Sequence, residues 1–281
     1  MAVYSSVISR IFFVIAGFLI GLLFGSFLNV CISRLPGHKS IIHPPSHCPN
    51  CGAPIRWFDN IPVLSWLLLG GRCRDCGEAI PWRYPLVELA LGVWFALQAV
   101  RLHTVLNYYF WTPNRVGTTF DATSSIIINL AIAILGFLLI GLVVMDWQTH
   151  LLPDAFTLTG IVIGLVLVCT QAVFLGPAQG QVLLPQNSIR LSSAGAGGPD
   201  KGNVFLTGPE ALIGGRILAV CGVALLLLLV RWLYKALRHR EGMGLGDVKL
   251  IAMIAAFLGF WPAILSLFVG VLAASVYGEE R

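Results

Sequence analysis

The chain has 281 residues, of which 57% are hydrophobic and 11% charged, with a formal net charge of +5 and a mean hydropathy of +0.84. These values exclude an ordinary soluble globule and place the chain in a bilayer. A crossing helix needs about 20 apolar residues, so the length accommodates roughly six to eight crossings and one modest extramembrane module, with no room for a second large domain.

Apolar runs fall at 11–30, 86–102, 125–145, 156–175, 211–234 and 250–276. The first follows Arg10 but has no small-x-small cleavage site after it, and Leu28-Asn29-Val30-Cys31 is a poor lipoprotein signal. It therefore reads as a retained helix. The last run is interrupted at Trp261-Pro262, where proline removes a backbone donor, and one bent helix or two short ones would both fit. The expected fold is an all-α polytopic membrane protein with six to seven transmembrane helices and a small cytoplasmic four-cysteine loop domain.

Orientation follows from the basic residues, which are retained on the cytoplasmic side. Residues 31–85 carry Arg34, Lys39, Arg56, Arg72, Arg74 and Arg83, and the region after 230 carries Arg231, Lys235, Arg238, Arg240 and Lys249. Both read as cytoplasmic. The connections 103–124 and 176–210 hold only Arg115, Arg190 and Lys201, which fits the outer side, and parity then puts the link from Asp146 to Asp154 on the cytoplasmic face. Residues 176–210, rich in Gly, Ser, Pro and Gln, predict a flexible outer loop. No internal repeat stands out. The expected organisation is a first transmembrane helix at 1–30, a cytoplasmic zinc-binding loop domain at 31–85, and a transmembrane catalytic domain at 86–281.

Four of the seven cysteines form "CPNCG" and "CRDCG": Cys48, Cys51, Cys73 and Cys76. Two such C-x2-C pairs can wrap one tetrahedral metal with four thiolates, and the glycine after each pair allows the tight turn that aims backbone amides at sulfur. Zinc suits this ligand set; iron in the same site and a pair of disulfides are the alternatives. Four protein ligands leave zinc no open position, so the metal would staple the loop rather than activate water. His43 and His47 lie close enough to substitute as ligands. Cys31, Cys169 and Cys221 sit in or beside apolar helices and read as small buried side chains.

Only 13 acids exist, and few fall at membrane boundaries. Asp146 ends the third apolar run, where a negative side chain opposes the helix dipole and stability does not explain it. Asp154 follows Pro153 and suits a helix N-cap. Glu88 lies one turn into the second run, where a first-turn acid favours the helix start and interfacial packing. Asp247 also precedes an apolar run, so an N-cap competes with chemistry there. Gly242, Gly244 and Gly246 around it would let another backbone, such as a substrate strand, lie close beside the acid. Asp146 and Asp247 reach the same face from different helices, as a paired-carboxylate site requires.

These residues bring the chain to a family. It resembles the bacterial type IV prepilin peptidases, the leader peptidase/N-methyltransferases of pilus and type II secretion systems. The resemblance rests on "GSFLNVCISRLP" at 25–36, the two CxxCG pairs, "IPVLSWLLLGG" at 61–71, "RYPLVEL" at 83–89, "DWQTHLLPD" at 146–154 and "GMGLGDVKL" at 242–250. It implies a membrane aspartic endopeptidase of the bacterial inner membrane, with Asp146 and Asp247 as the catalytic pair and the active site facing the cytoplasm. The implied substrates are prepilins and pseudopilins, cut between a short basic leader and an apolar helix. It also implies a second activity, N-methylation of the new amino terminus from S-adenosylmethionine, for which no nucleotide-binding fingerprint is present and no residues are assigned.

The outer loop 176–210 is longer than the family leads one to expect, and the chain stops at "VYGEER" without a further apolar span, as a truncated chain would. Two other classes of function compete: a metal-binding membrane redox protein using iron in the cysteine site, and a proton-coupled transporter. The second is expected to carry acids deep inside its spans, whereas here the helix centres are almost free of charge, with Arg216 the nearest exception. The partners implied are the prepilin substrate and membrane lipid. Nothing points to nucleic acid, because the basic residues flank helices, and the sequence sets no oligomeric state.

Overall fold

The computed structural model describes residues 2–37, 39–111, 119–174, 209–238 and 244–278. Among them the regular structure is helical: α1 (Ala2–Arg34), α2 (Leu64–Leu68), α3 (Arg83–Leu106), α4 (Thr119–Thr149), α5 (Asp154–Phe174), α6 (Pro209–Arg238), α7 (Leu245–Leu258) and α8 (Phe260–Gly278). Five helical segments are long and apolar enough to cross a membrane: Val7–Gly37, Arg83–Tyr109, Ala122–Thr149, Asp154–Ala172 and Leu212–Arg238. Most of the expected outer loop at 176–210 lies outside the described residues, and α6 begins at Pro209. The chain divides into two compact units, residues 1–113 with 129–157 and residues 114–128 with 158–281.

The first unit is organised around α1 and α3, which run antiparallel with their backbones close together. Gly17, Gly21 and Gly25 recur every fourth residue on one face of α1, the small-residue spacing that lets two helices approach in lipid. A Cβ at Gly21 would lie 2.4 Å from the Leu91 carbonyl oxygen and 2.8 Å from the Gly92 Cα, and one at Gly25 would lie 2.5 Å from the Glu88 Cα. Farther along, the Asn29 side-chain amide donates to the Tyr84 carbonyl at 3.0 Å. From α4, Gly136 faces the Trp94 indole, whose Nε1 donates to the Ala133 carbonyl at 3.3 Å. Leu28, Leu91, Leu142 and Met145 are fully buried in this unit.

In the second unit α7 packs against α6 and α8, and Gly164 of α5 sits against Ala256 and Phe257. From Ile251 through Phe257 every residue of α7 is buried, as expected of a helix that is apolar all round. The sequence places the interruption of the 250–276 run at Trp261-Pro262; the structure breaks it at Gly259 and makes two helices. Pro262 has no N–H to offer the Leu258 carbonyl, so the ladder cannot continue through that point. Gly259 takes the left-handed φ of 97° at which other residues are strained. The 14-residue α7 is about 21 Å long, short of the ~30 Å hydrocarbon core.

The α1–α3 contact gives a first prediction. Gly21→Val sets side-chain carbon against the backbone of α3, which cannot give way as a side chain can, and should lower stability by about 1–3 kcal/mol. Gly214→Val, at a position with nothing within 4 Å, should have little effect. Thermal unfolding of both variants in the same detergent checks the contrast.

Candidate active site and metal centre

The four cysteines come from two copies of one turn. In the first, Cys48 N–H donates to Ala53 O (2.9 Å), Gly52 N–H to Cys48 O (2.9 Å) and Ile55 N–H to Ser46 O (2.9 Å). In the second, Cys73 N–H donates to Glu78 O (2.8 Å), Gly77 N–H to Cys73 O (3.0 Å) and Ile80 N–H to Gly71 O (2.7 Å). The same three bonds recur 25 residues later. The expectation of no internal repeat is therefore corrected: "SHCPNCGAPI" and "GRCRDCGEAI" share only the cysteines, glycine and final isoleucine, too little for a sequence signal. Gly52 and Gly77 take φ of 71° and 72°, which turns the chain back after each second cysteine.

The four Sγ atoms lie within 4.8 Å of one another, with Cys48 Sγ 3.8 Å from Cys76 Sγ. A tetrahedral ion bonded to four sulfurs at about 2.3 Å requires sulfur separations of about 3.8 Å, so this cluster could hold a metal. All four cysteines are free thiols in this structure. Backbone amides of Cys51 and then Asn50 hold the Cys48 thiol down at about 7, whereas Cys51, despite the Ala53 amide, is pushed up to about 11 by burial and the neighbouring thiols. His47 turns Nδ1 to the Pro45 carbonyl at 3.0 Å, and neither His43 nor His47 joins the sulfur cluster. Cys31 is buried as expected, but Cys169 and Cys221 are exposed. On an apolar helix, lipid accommodates such a side chain as well as a protein core does.

Two contacts that sequence reasoning missed hold the cysteine module together and to α3. Arg74, between the second pair of cysteines, forks onto Asp59 with Nη2–Oδ1 2.6 Å and Nε–Oδ2 2.9 Å. That fork holds the Asp59 carboxyl below the usual carboxylate range. The pair therefore contributes stability above that range and loses it as pH falls through the depressed value. The second contact is Glu88. Its Oε2 accepts the Val63 N–H at 2.7 Å, so the acid braces a neighbouring segment and not its own helix start. Val63 has φ 61° and ψ −48°, a tight turn closed by Leu64 N–H on Pro62 O at 2.6 Å and strained for a branched residue. Between the module and the start of α3 lies a cavity of about 230 Å³ whose walls include Trp66, Tyr84, Asp75, Glu78 and Glu88.

Asp146 is an exposed residue of the first unit, in the last turn of α4, directly after the fully buried Met145. Asp154 is exposed in the first turn of α5, consistent with a helix-start role. Asp247 belongs to the second unit, is exposed, and lies in the first turn of α7. The N-cap is Gly244 and not Asp247, which stands at the third helical position and reaches back so that its Oδ2 accepts the Gly244 N–H at 3.2 Å. Gly242 lies outside the described residues.

Two family models match the chain: the Bacterial Peptidase A24 N-terminal domain over residues 19–102, and the Type IV leader peptidase family over residues 202–278. The chain is 35% identical to a prepilin leader peptidase/N-methyltransferase of Klebsiella pneumoniae, over 88% of this chain and 85% of the relative. It is 32% identical to one from Dickeya chrysanthemi, over 92% of this chain and 78% of the relative. A third, from Myxococcus xanthus, is 32% identical over 93% of this chain, which spans only 59% of that protein. No solved structure matches.

The four-sulfur geometry predicts that Cys48→Ser or Cys73→Ser lowers bound metal from one ion per chain to well below half. The same changes should speed proteolysis within residues 39–82. Metal analysis of the purified variants is the check, and unchanged metal content would rule out a four-cysteine site.

Proposed function

Since the chain belongs to the type IV leader peptidase family, we propose that it is a membrane aspartic endopeptidase that removes the short basic leader from prepilins or pseudopilins. Asp146 and Asp247 are its catalytic pair, at the cytoplasmic face of a bacterial inner membrane. The observation that carries the reading is the similarity to these relatives over most of the chain, with the leader peptidase family model spanning the segment that bears Asp247. Local physics supports it. Asp146 stands exposed at a helix carboxyl end, where its charge costs about 0.3–1 kcal/mol and brings no stability in return. The redox and transport alternatives are not favoured, because the matched relatives share a peptidase and methyltransferase name.

This mechanism requires the two carboxyls to share a proton, because a close pair cannot both ionise cheaply. The ionised one takes a proton from water as that water attacks the scissile carbonyl. The protonated one donates to the carbonyl oxygen; the first acid then passes the proton it took from water to the leaving amine, while the second recovers its proton from the diol hydroxyl as the carbonyl re-forms. The basic leader is retained on the cytoplasmic side with the acids. Zinc bound by Cys48, Cys51, Cys73 and Cys76 would have a closed ligand set and act as scaffold only.

The second activity is N-methylation of the exposed amino terminus, with S-adenosylmethionine supplying the methyl group. The donor is a sulfonium cation with a flat aromatic base. The cavity beside α3 is a candidate for this donor: Asp75, Glu78 and Glu88 face the cation Arg74 in its walls, and Trp66 and Tyr84 add aromatic surface.

Asp146→Asn and Asp247→Asn should each reduce prepilin cleavage by at least about 10³-fold, since members of a catalytic unit fail singly. Membrane insertion and metal content should be unaffected. The check is a cleavage assay on reconstituted protein with a prepilin substrate, run with and without S-adenosylmethionine; ready cleavage by either variant removes the assignment.

A further inference from the structure

The segment 39–82 leaves α1 and rejoins α3 at the same end of the helix pair, because the two helices are antiparallel and Asn29 meets Tyr84 there. It is expected to be an extramembrane module, yet its surface is not that of a water-soluble one. On α2, Leu64, Leu67 and Leu68 are exposed by 48, 62 and 77%, and Trp57 in the adjoining turn is exposed by 82%. The inward side is fully used: Ser65 is buried and donates to the Phe58 carbonyl at 2.9 Å, and the Trp66 indole donates to the Ile80 carbonyl at 3.0 Å.

The attachment of α2 to α3 accounts for this surface. Val63, the residue before α2, is bonded to Glu88, five residues beyond Arg83, where the membrane-spanning segment Arg83–Tyr109 begins. At 1.5 Å per residue, α2 therefore starts about 7 Å along that span. Interfacial helices lie at this depth, roughly 5–10 Å into the boundary of headgroups and acyl chains. Trp57 and the exposed Trp82 fit the aromatic belt of that layer, and the exposed Arg72 suits anionic headgroups, whereas Arg56 reaches Asp75 at 4.0 Å.

We propose that α2 and the Trp57 turn are seated in the interfacial layer of the bilayer, so that the cysteine module lies on the membrane surface and does not project into water. The occupant of the leucine face is lipid. This seating depends on neither the peptidase nor the methyltransferase reading.

The test places p-benzoylphenylalanine at position 68 of the full-length protein, and separately at position 75, where Asp75 is exposed. Both proteins are reconstituted in vesicles of phosphatidylethanolamine and phosphatidylglycerol, irradiated and analysed by mass spectrometry. Lipid adducts should form at position 68 at least tenfold more than at position 75. Equal lipid yields at the two positions overturn the proposal. So does an adduct at position 68 to a second copy of the chain, or to an added prepilin that displaces lipid.

Discussion

The first unit depends on the near-contact of two backbones. Without side chains at Gly17, Gly21 and Gly25, α1 comes within van der Waals reach of the α3 main chain. In lipid this close packing replaces the hydrophobic drive that would hold two helices together in water. The contact fixes where α1 ends and where α3 begins, and so sets both anchor points of the cysteine module. It also brings Gly25 against the Glu88 backbone, one residue type too small to crowd the acid that braces Val63.

Polar groups near the membrane are used sparingly and in pairs. Glu88 is buried at 8% exposure and accepts a backbone amide, as a carboxylate removed from water must. Asp59 is engaged on two oxygens by Arg74. Asp146 stands outside this pattern, exposed at the wrong end of a helix for its charge. Asp247 is half within it, since capping occupies one of its oxygens and leaves the other for a different task.

Much of the architecture was legible because a bilayer imposes a simple length rule. The long apolar runs became α1 and α3 to α6, most ends lying within about six residues of the run and α1 starting earlier at Ala2, and the C-x2-C spacing pointed directly to the sulfur cluster. What stayed hidden depended on tertiary partners. The break at Gly259 precedes Pro262 by three residues because proline disrupts the bond to the residue four back. The Glu88–Val63 bond joins positions 25 residues apart that no periodicity links. The repeated turn escaped notice because it is defined by main-chain bonds, which tolerate almost any side chain between the cysteines. The two acids proposed as catalytic are legible only from motif and topology, since Asp146 and Asp247 belong to separate compact units.

The duplicated turn has a consequence for how a metal would load. Each half offers two sulfurs, too few to retain an ion alone, so occupancy must be cooperative: both hairpins clamp together or neither does. Either hairpin alone carries half of the ligand set, and the packing of one against the other is what completes it.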